Sequence, residues 1–436
     1  MKRVLRLMLG VASALVIAGT FFMPNFGPTL GEQPGAATFV SVDPVPLKLV
    51  CPGAFVEVAG ESGTELGQIE RVGEASTAQA GNGQIQLESP LISSATELLA
   101  DGNEQSTALL SAVQTQLVER SRAAGLAAAY CEQPTTSGWF VSGQTTVGAE
   151  TVLVLANPNL VDTQVEVRYH LPGGVTESRF ALAAGEELLV NLSGEVGPNP
   201  VYAIEFESLG SAVSVALQHR YSRGLTPLGL SLSTSYTNPS EVSWVTPVSI
   251  LAEGYQPPKL RLFAPGDRAE VIITAFSGND PELIRTVVQA QSFEEVELDL
   301  LPGTYALKVE SESEVLAAVL NPSLEPLDYS WVYPAQQFTQ LTLPIPNYQS
   351  QLSLFNPNPT AITLNLRVIT NAEEQLRSVQ LPALSPLSIP VDGLSLELSS
   401  ANQFLAAIEI TDPAGYAVVA PSENANPGRE LSVLVR

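Results

Sequence analysis

The stretch "LVLANPN" (Leu153 to Asn159) reads as a strand running into a turn, and it returns as "LRLFAPG" (Leu260 to Gly266) and "LSLFNPN" (Leu352 to Asn358). The residues after each copy are also alike. "TQVEVRYHL", "AEVIITAF" and "AITLNLRVI" come next; in the first, Val165, Val167 and Tyr169 alternate with polar residues, the period of a half-buried strand. A turn and another strand succeed them ("TESRFAL", "LIRTVVQA", "EQLRSVQL"), and then "EELLVNL", "EEVELDL" and "LSIPVDG". The copies close on "YAIEFES", "YALKVES" and "LSLELSS", each leading into an Ala- and Val-rich strand. One tryptophan stands before each opening strand: Trp139, Trp244 and Trp331, the only three in the chain. The prolines Pro158, Pro265 and Pro357 have a local reason, because proline cannot donate to a ladder and so ends pairing, while Asn accepts turn geometry.

Three units of roughly 90 to 105 residues, each with about seven short strands, predict an all-β chain of tandem antiparallel β-sandwiches of immunoglobulin or fibronectin type. Propeller blades run four strands in about 40 to 50 residues, half this period. The expected organisation is an N-terminal membrane anchor or signal peptide over 1–27, a Pro/Gly-rich spacer over 28–44, a mostly-β region over 45–135, and sandwiches over 136–240, 241–328 and 329–436. The tryptophans are expected to cover a sandwich edge or the junction between units. Within the 45–135 region, "STALLSAVQTQLVERSRAAGLAAAYC" fits two periods. Leu110, Val113 and Leu117 have helical spacing, while Val113, Thr115 and Leu117 alternate as a strand does. Gly125 would cost a helix about 1 kcal/mol, so a hairpin ending in "GLAAAYC" is the preferred reading.

The N-terminus sets the compartment. Lys2, Arg3 and Arg6 precede an uncharged apolar run from Leu7 to about Met23, and cationic flanks stay cytoplasmic. The run reaches the lower limit of a membrane span and lacks small residues where a cleavage site would fall, which favours an uncleaved single-pass anchor over a cleaved signal. In both readings the bulk of the chain is extracytoplasmic. Cys51 and Cys131 suit that compartment; they are the only cysteines, so a disulfide, if formed, has one connectivity, and two buried free thiols are the alternative. A formal charge of −25 excludes nucleic acid as a partner, since carboxylates and phosphates repel.

The combination "LVCPG", "GLAAAYCEQP" running into "GWFVSG", and "LVLANPN" resembles a family of exported actinobacterial cell-envelope proteins grouped as a domain of unknown function and often encoded near cell-wall glycosyltransferases. The markers are Cys51, Cys131, Trp139 and the Asn157-Pro158 turn, and the second unit departs from the pattern with Ala264-Pro265. The resemblance implies an envelope location and carries no catalytic residues.

Residue chemistry offers little for catalysis. No Gly-x-Ser-x-Gly elbow accompanies His170 or His219, which read as surface or strand-end histidines. Glu295, Glu297 and Asp299 fall on one face of a strand, as a solvated face or an edge guard would. The acidic turns at 101–105 and 277–282 lack calcium-loop spacing, and two Cys with two His match no zinc pattern, so neither a metal nor a cofactor is expected. The expected function is therefore a non-enzymatic, membrane-tethered scaffold or binding module for cell-wall glycan or another exported protein. The alternatives are a glycan-active enzyme using acidic residues and a plain stalk.

Overall fold

A computed structural model describes residues 37–41, 47–58, 68–81, 85–86, 96–100, 110–234, 238–252, 257–422 and 430–434. The anchor or signal peptide expected over 1–27 lies outside the described residues, and among these no helix is long and apolar enough to cross a membrane. Two compact units are present. In Met1–Pro44 with Pro427–Arg436, strand β1 (Ala37–Ser41), part of the expected spacer, pairs antiparallel with Glu430–Leu434. The second unit, Val45–Asn426, holds the remaining strands.

Its first part contains β2 (Leu47–Cys51), β3 (Val56–Val58), β4 (Ile69–Arg71), β5 (Ser76–Gly81), β6 (Ile85–Gln86), β7 (Thr96–Ala100), β8 (Leu110–Glu119) and β9 (Ala124–Tyr130). They form three small antiparallel sheets, β2-β7-β6, β3-β4 and β5-β8-β9. The stretch of ambiguous period is thus the β8–β9 hairpin. Its strands are buried on both faces, which removes the polar alternation that normally marks a strand. The segment around Gly53 to Val56 is held by glutamine side chains acting as a partner strand would. Gln114 accepts from Gly53 N–H and donates to its carbonyl, Gln116 accepts from Phe55 N–H, and Gln218 accepts from Val56 N–H.

From Ser137 to Ser233 run β10 (Ser137–Phe140), β11 (Ala149–Ala156), β12 (Thr163–Leu171), β13 (Gly174–Leu182), β14 (Glu187–Asn191), the short helix α1 (Leu192–Val196), β15 (Ala203–Ser208), β16 (Ser214–Arg223) and β17 (Thr226–Ser233). A peripheral sheet, β10-β15-β12-β13, faces an axial sheet, β14-β11-β16-β17, and apolar residues of both fill one core. The next stretch has β18 (Ser240–Ile250), β19 (Lys259–Ala264), β20 (Ala269–Phe276), β21 (Glu282–Val288), β22 (Ser292–Glu297), β23 (Gly303–Leu324) and β24 (Leu327–Val332). Here one long strand serves both layers: the first part of β23 pairs with β18 and β20, the second with β19 and β24. The last stretch has β25 (Phe338–Pro344), β26 (Gln349–Phe355), β27 (Ile362–Ile369), β28 (Glu374–Leu381), β29 (Pro386–Val391), β30 (Ser395–Asp412) and β31 (Gly415–Val419), and β30 is shared in the same way. The order of pairing is the same in all three stretches, four strands to a layer, with eight strands in the first stretch and seven in each of the other two, where one long strand serves both layers.

Two expectations need correction. Trp139 on β10 and Trp244 on β18 occupy matching places, opposite Glu205 and Lys308, but Trp331 lies on β24, which pairs with β23. The boundary expected at 328/329 therefore cuts a strand, and Thr342, opposite Glu397, stands where a third matching tryptophan would. Short spacing misled here, because Trp331 ends one stretch only a few residues before β25 opens the next.

The strands β9, β17, β24 and β31 lie side by side in a closed cycle, each in contact with the next and β31 with β9. Side chains alternate along a strand, and these four strands use both faces. Tyr329 and Trp331 of β24 enter the core of the first sandwich, while Val332 stays in its own. Tyr416 and Val418 of β31 enter the second core, Leu126, Ala128 and Tyr130 of β9 enter the third, and Leu230 and Leu232 of β17 pack with Phe55, Val118 and Ala127. Each core is completed by its neighbour's last strand, and the cycle closes when β9 fills the final one.

Candidate functional site

The two cysteines are joined, Cys51 at the end of β2 to Cys131 just after β9, with their sulfurs 2.01 Å apart. The bond ties the start of the compact unit to the strand that completes the last core. Trp139 packs on Phe263 of the second sandwich, with ring centroids 6.3 Å apart, and Trp244 on Phe355 of the third, 5.2 Å apart. Both rings therefore sit at junctions. Pro158, Pro265 and Pro357 each come just after the end of β11, β19 or β26. The asparagines beside two of them do more than turn the chain. Buried Asn157 donates to the carbonyls of Val161, Leu182 and Ala183 and accepts from Asn159 N–H, and Asn356 repeats this with Thr360, Leu381, Pro382 and Asn358. In the second stretch the turn from Ala264 to β20 is one residue shorter, and Ala264, in the place of Asn157 and Asn356, has no polar side chain to play this part.

His219 is fully buried on β16, contrary to the surface reading of the sequence. Its Nε2 lies 2.9 Å from Ser142 Oγ, its Nδ1 lies 3.3 Å from Thr151 Oγ1, and Tyr333 O–H donates to Ser142 at 2.5 Å. Thr151 in turn donates to the carbonyl of Gln144. Every bond in this chain is satisfied by a neutral imidazole with its proton on Nδ1. Burial, reinforced by the nearby Arg261 charge, pushes His219 down to about 3. A serine beside a histidine invites comparison with a nucleophile and its base. Here the third group is a threonine, and Ser142 and His219 have no exposed surface for a substrate to reach. The cluster is a polar knot at a junction. Arg261 of the second sandwich strengthens it, donating to the carbonyls of Val141, Gly143 and Pro200 in the first, pairing with Glu295 at 2.8 Å, and lying over the Trp331 ring. The other histidine, His170, lies beside Glu205 at 3.3 Å and against the Trp139 ring, and burial lowers its pKa.

Asp328 stands at the centre of the four-strand cycle, 2% exposed. Its Oδ2 accepts from Leu126 N–H at 2.8 Å and Tyr416 N–H at 2.9 Å, and its Oδ1 from Leu230 N–H at 2.8 Å and Tyr329 N–H at 2.9 Å. The four donors come one each from β9, β31, β17 and β24. Glycines precede three of them, and a Cβ on Gly125 would lie 2.7 Å from Oδ2, one on Gly229 2.3 Å from Oδ1, and one on Gly415 2.5 Å from Leu126. Only one side chain fits on the axis. Burial raises the Asp328 carboxyl to about 7, against the four N–H bonds that lower it. Glu132, after Cys131, is also raised by burial to about 7 and accepts from Ser422 Oγ.

The roomy concavities described are open. A trough of about 710 Å³ lies on the peripheral sheet of the third sandwich, across β25, β30, β27 and β28. Register places Gln340, Ser399, Asn365 and Ser378 in one row across its floor, and Thr342, Glu397, Arg367 and Leu376 in the next. Arg367 binds Glu397 at 2.9 Å and Glu374 at 2.7 Å, so the two carboxylates share a cation and do not face each other across a gap. Leu376 is 78% exposed. A smaller trough of about 510 Å³ occupies the matching place on β20, β21 and β23. Among the described residues no group of three or more His, Cys, Asp or Glu could hold a metal ion.

A family model described as a family of unknown function matches residues 87–381, more than half of the chain. No curated protein matches it.

Proposed function

The chain belongs to the DUF5719 family of unknown function, and we propose from its own geometry that it is a non-enzymatic scaffold and binding module of the cell envelope. In this reading the three stretches are copies of one immunoglobulin- or fibronectin-like unit. The matching order of pairing supports that, as does the shared position of Trp139 and Trp244. The apolar N-terminal run and the disulfide support an extracytoplasmic, membrane-anchored chain, and the sequence resemblance supports an actinobacterial envelope.

One observation carries the proposal. The Ser142–His219 pair and the raised carboxyls of Asp328 and Glu132 are buried away from the open trough, whose lining combines the amides and hydroxyls of Gln340, Asn365, Ser378 and Ser399 with Arg367, Arg377 and Glu397. Its carboxylate Glu397 is paired with Arg367. A floor of this kind suits a neutral hydroxylated chain, which makes a cell-wall glycan strand the favoured ligand over an exported protein. Binding would rest on hydrogen bonds exchanged with Gln340, Asn365 and Ser399, with Leu376 as the apolar contact.

The test is to titrate soluble cell-wall glycan fragments into the full chain by calorimetry, beside Ser378→Trp, which fills the exposed trough without touching a core. Saturable binding that Ser378→Trp abolishes supports the reading. Absence of binding, or equal binding by the variant, overturns it, and release of reducing ends would show an enzyme.

A further inference from the structure

We infer that the axis of the four-strand cycle is a binding site for a small planar carboxylate, which the protein fills with its own Asp328 as a built-in ligand. A carboxylate has two oxygens and about four acceptor directions, and here each oxygen receives two backbone N–H groups at 2.8–2.9 Å. The donors belong to four strands that are far apart in sequence. The cradle is also shaped for an acceptor to enter. Gly125, Gly229 and Gly415 leave the axis free of side chains from three strands, and the fourth supplies the acid. Convergent N–H groups of this kind bind anions wherever backbone geometry aims them at one point.

The consequence is mechanical. No single strand owns the site, so the carboxylate couples all four, and opening the cycle at any junction orphans buried donors on several strands at once. Removing Asp328 side-chain atoms, with the backbone kept, should leave an empty cradle that accepts an external anion in their place.

The experiment is Asp328→Gly in the full chain, unfolded by urea at pH 8 with increasing sodium formate. Asp328→Leu, which fills the axis without an acceptor, and the unaltered protein serve as comparisons at the same salt concentrations. A ligand that binds only the folded state multiplies the folding equilibrium constant by one plus its concentration over its dissociation constant. Above that constant, each tenfold rise in formate should therefore raise the glycine variant's folding constant about tenfold. The unaltered protein and Asp328→Leu should show only the small common effect of salt. Acetate should act more weakly, because its methyl group meets the backbone that formate clears. If Asp328→Gly does not fold in buffer, the readout becomes the yield of folded protein on refolding with and without formate. A response no larger than that of Asp328→Leu, or no gain in refolding yield, would overturn the inference.

Discussion

Gly229→Ala tests the close approach at the axis, and Gly174→Ala supplies its control. The two glycines have nearly the same backbone, φ +132° at Gly229 and +134° at Gly174, a region that side chains avoid. Both alanines therefore carry a similar conformational strain of about 1–3 kcal/mol. Their surroundings differ. A Cβ at Gly174 meets nothing within 4 Å, whereas one at Gly229 would lie 2.3 Å from Asp328 Oδ1 and 2.8 Å from both Asp328 Cα and Tyr329 Cδ1. Relief requires β17 and β24 to separate, and separation breaks the Leu230 N–H bond to Asp328. Overpacking costs about 1–3 kcal/mol, and losing a bond to a charged group about 1.5–3 kcal/mol. Gly229→Ala should thus be less stable than Gly174→Ala by about 3–5 kcal/mol. Urea unfolding monitored by tryptophan fluorescence reads the difference, provided both variants keep the parent's slope against urea. A difference below about 1 kcal/mol would refute the claim that the strands are drawn together at this point.

The same geometry sets other outcomes. Asn356→Ala strips the donors from three carbonyls beside β26 and should cost about 2–4 kcal/mol by chemical denaturation, with Asn157→Ala similar. Cys131→Ser opens a loop of sequence separation 80 and should lower stability by about 4–5 kcal/mol on the chain-entropy account, while the intact protein should show no alkylatable thiol when denatured without reductant. Asp328, raised by burial from 3.8 to about 7, favours the fold while protonated. Its contribution is full below about pH 4 and is lost as pH rises through about 7, on the order of 4 kcal/mol in all. Glu132, also raised to about 7, acts in the same direction. Asp328→Asn should therefore flatten the fall in stability between pH 5 and 8 by about one proton's slope, and an unchanged slope would refute the assignment.

Strand identity was legible in the peripheral sheets because one face meets solvent. β12 and β27 alternate buried and exposed residues almost throughout, which is what period-two reading detects. The axial strands hide that signal. β9 and β31 are buried on both faces because each serves two cores, so the stretch leading into "GLAAAYC" fits a helical period as well as a strand's. The NPN turns were visible, but their meaning was not, since a buried Asn donating to carbonyls more than twenty residues away leaves only the letter in the sequence. The buried glutamines Gln114, Gln116 and Gln218, whose partners are backbone groups distant in sequence, leave as little trace there. Asp328 gave no sequence signal by itself. Aligning the four axial strands would have found it, as the acid in a column that otherwise holds Gly125, Gly229 and Gly415.

The shared cores decide how the molecule should unfold. Tandem sandwiches of the stalk kind would melt one by one, because each would own its core. Here β9 commits Leu126, Ala128 and Tyr130 to the third sandwich, and β24 commits Tyr329 and Trp331 to the first. Full burial of a large apolar side chain is worth about 1.5–3 kcal/mol, so one junction carries roughly 4–6 kcal/mol before its hydrogen bonds are counted. That is comparable with the whole stability of an ordinary domain, about 5–15 kcal/mol. A sandwich that lost its neighbour's strand would have little left, and closure through β9 means that none has a free end from which melting could start. Residues Val45–Asn426 should therefore unfold in one transition, with tryptophan fluorescence, far-ultraviolet circular dichroism and amide exchange in β11, β19 and β26 reporting the same midpoint. Breaking the cycle by Leu126→Ala should lower all of these together, not the third sandwich alone. Separate midpoints for the three sandwiches, or an effect of Leu126→Ala confined to the third, would show that the junctions are too weak to couple them and would return the chain to a row of independent units.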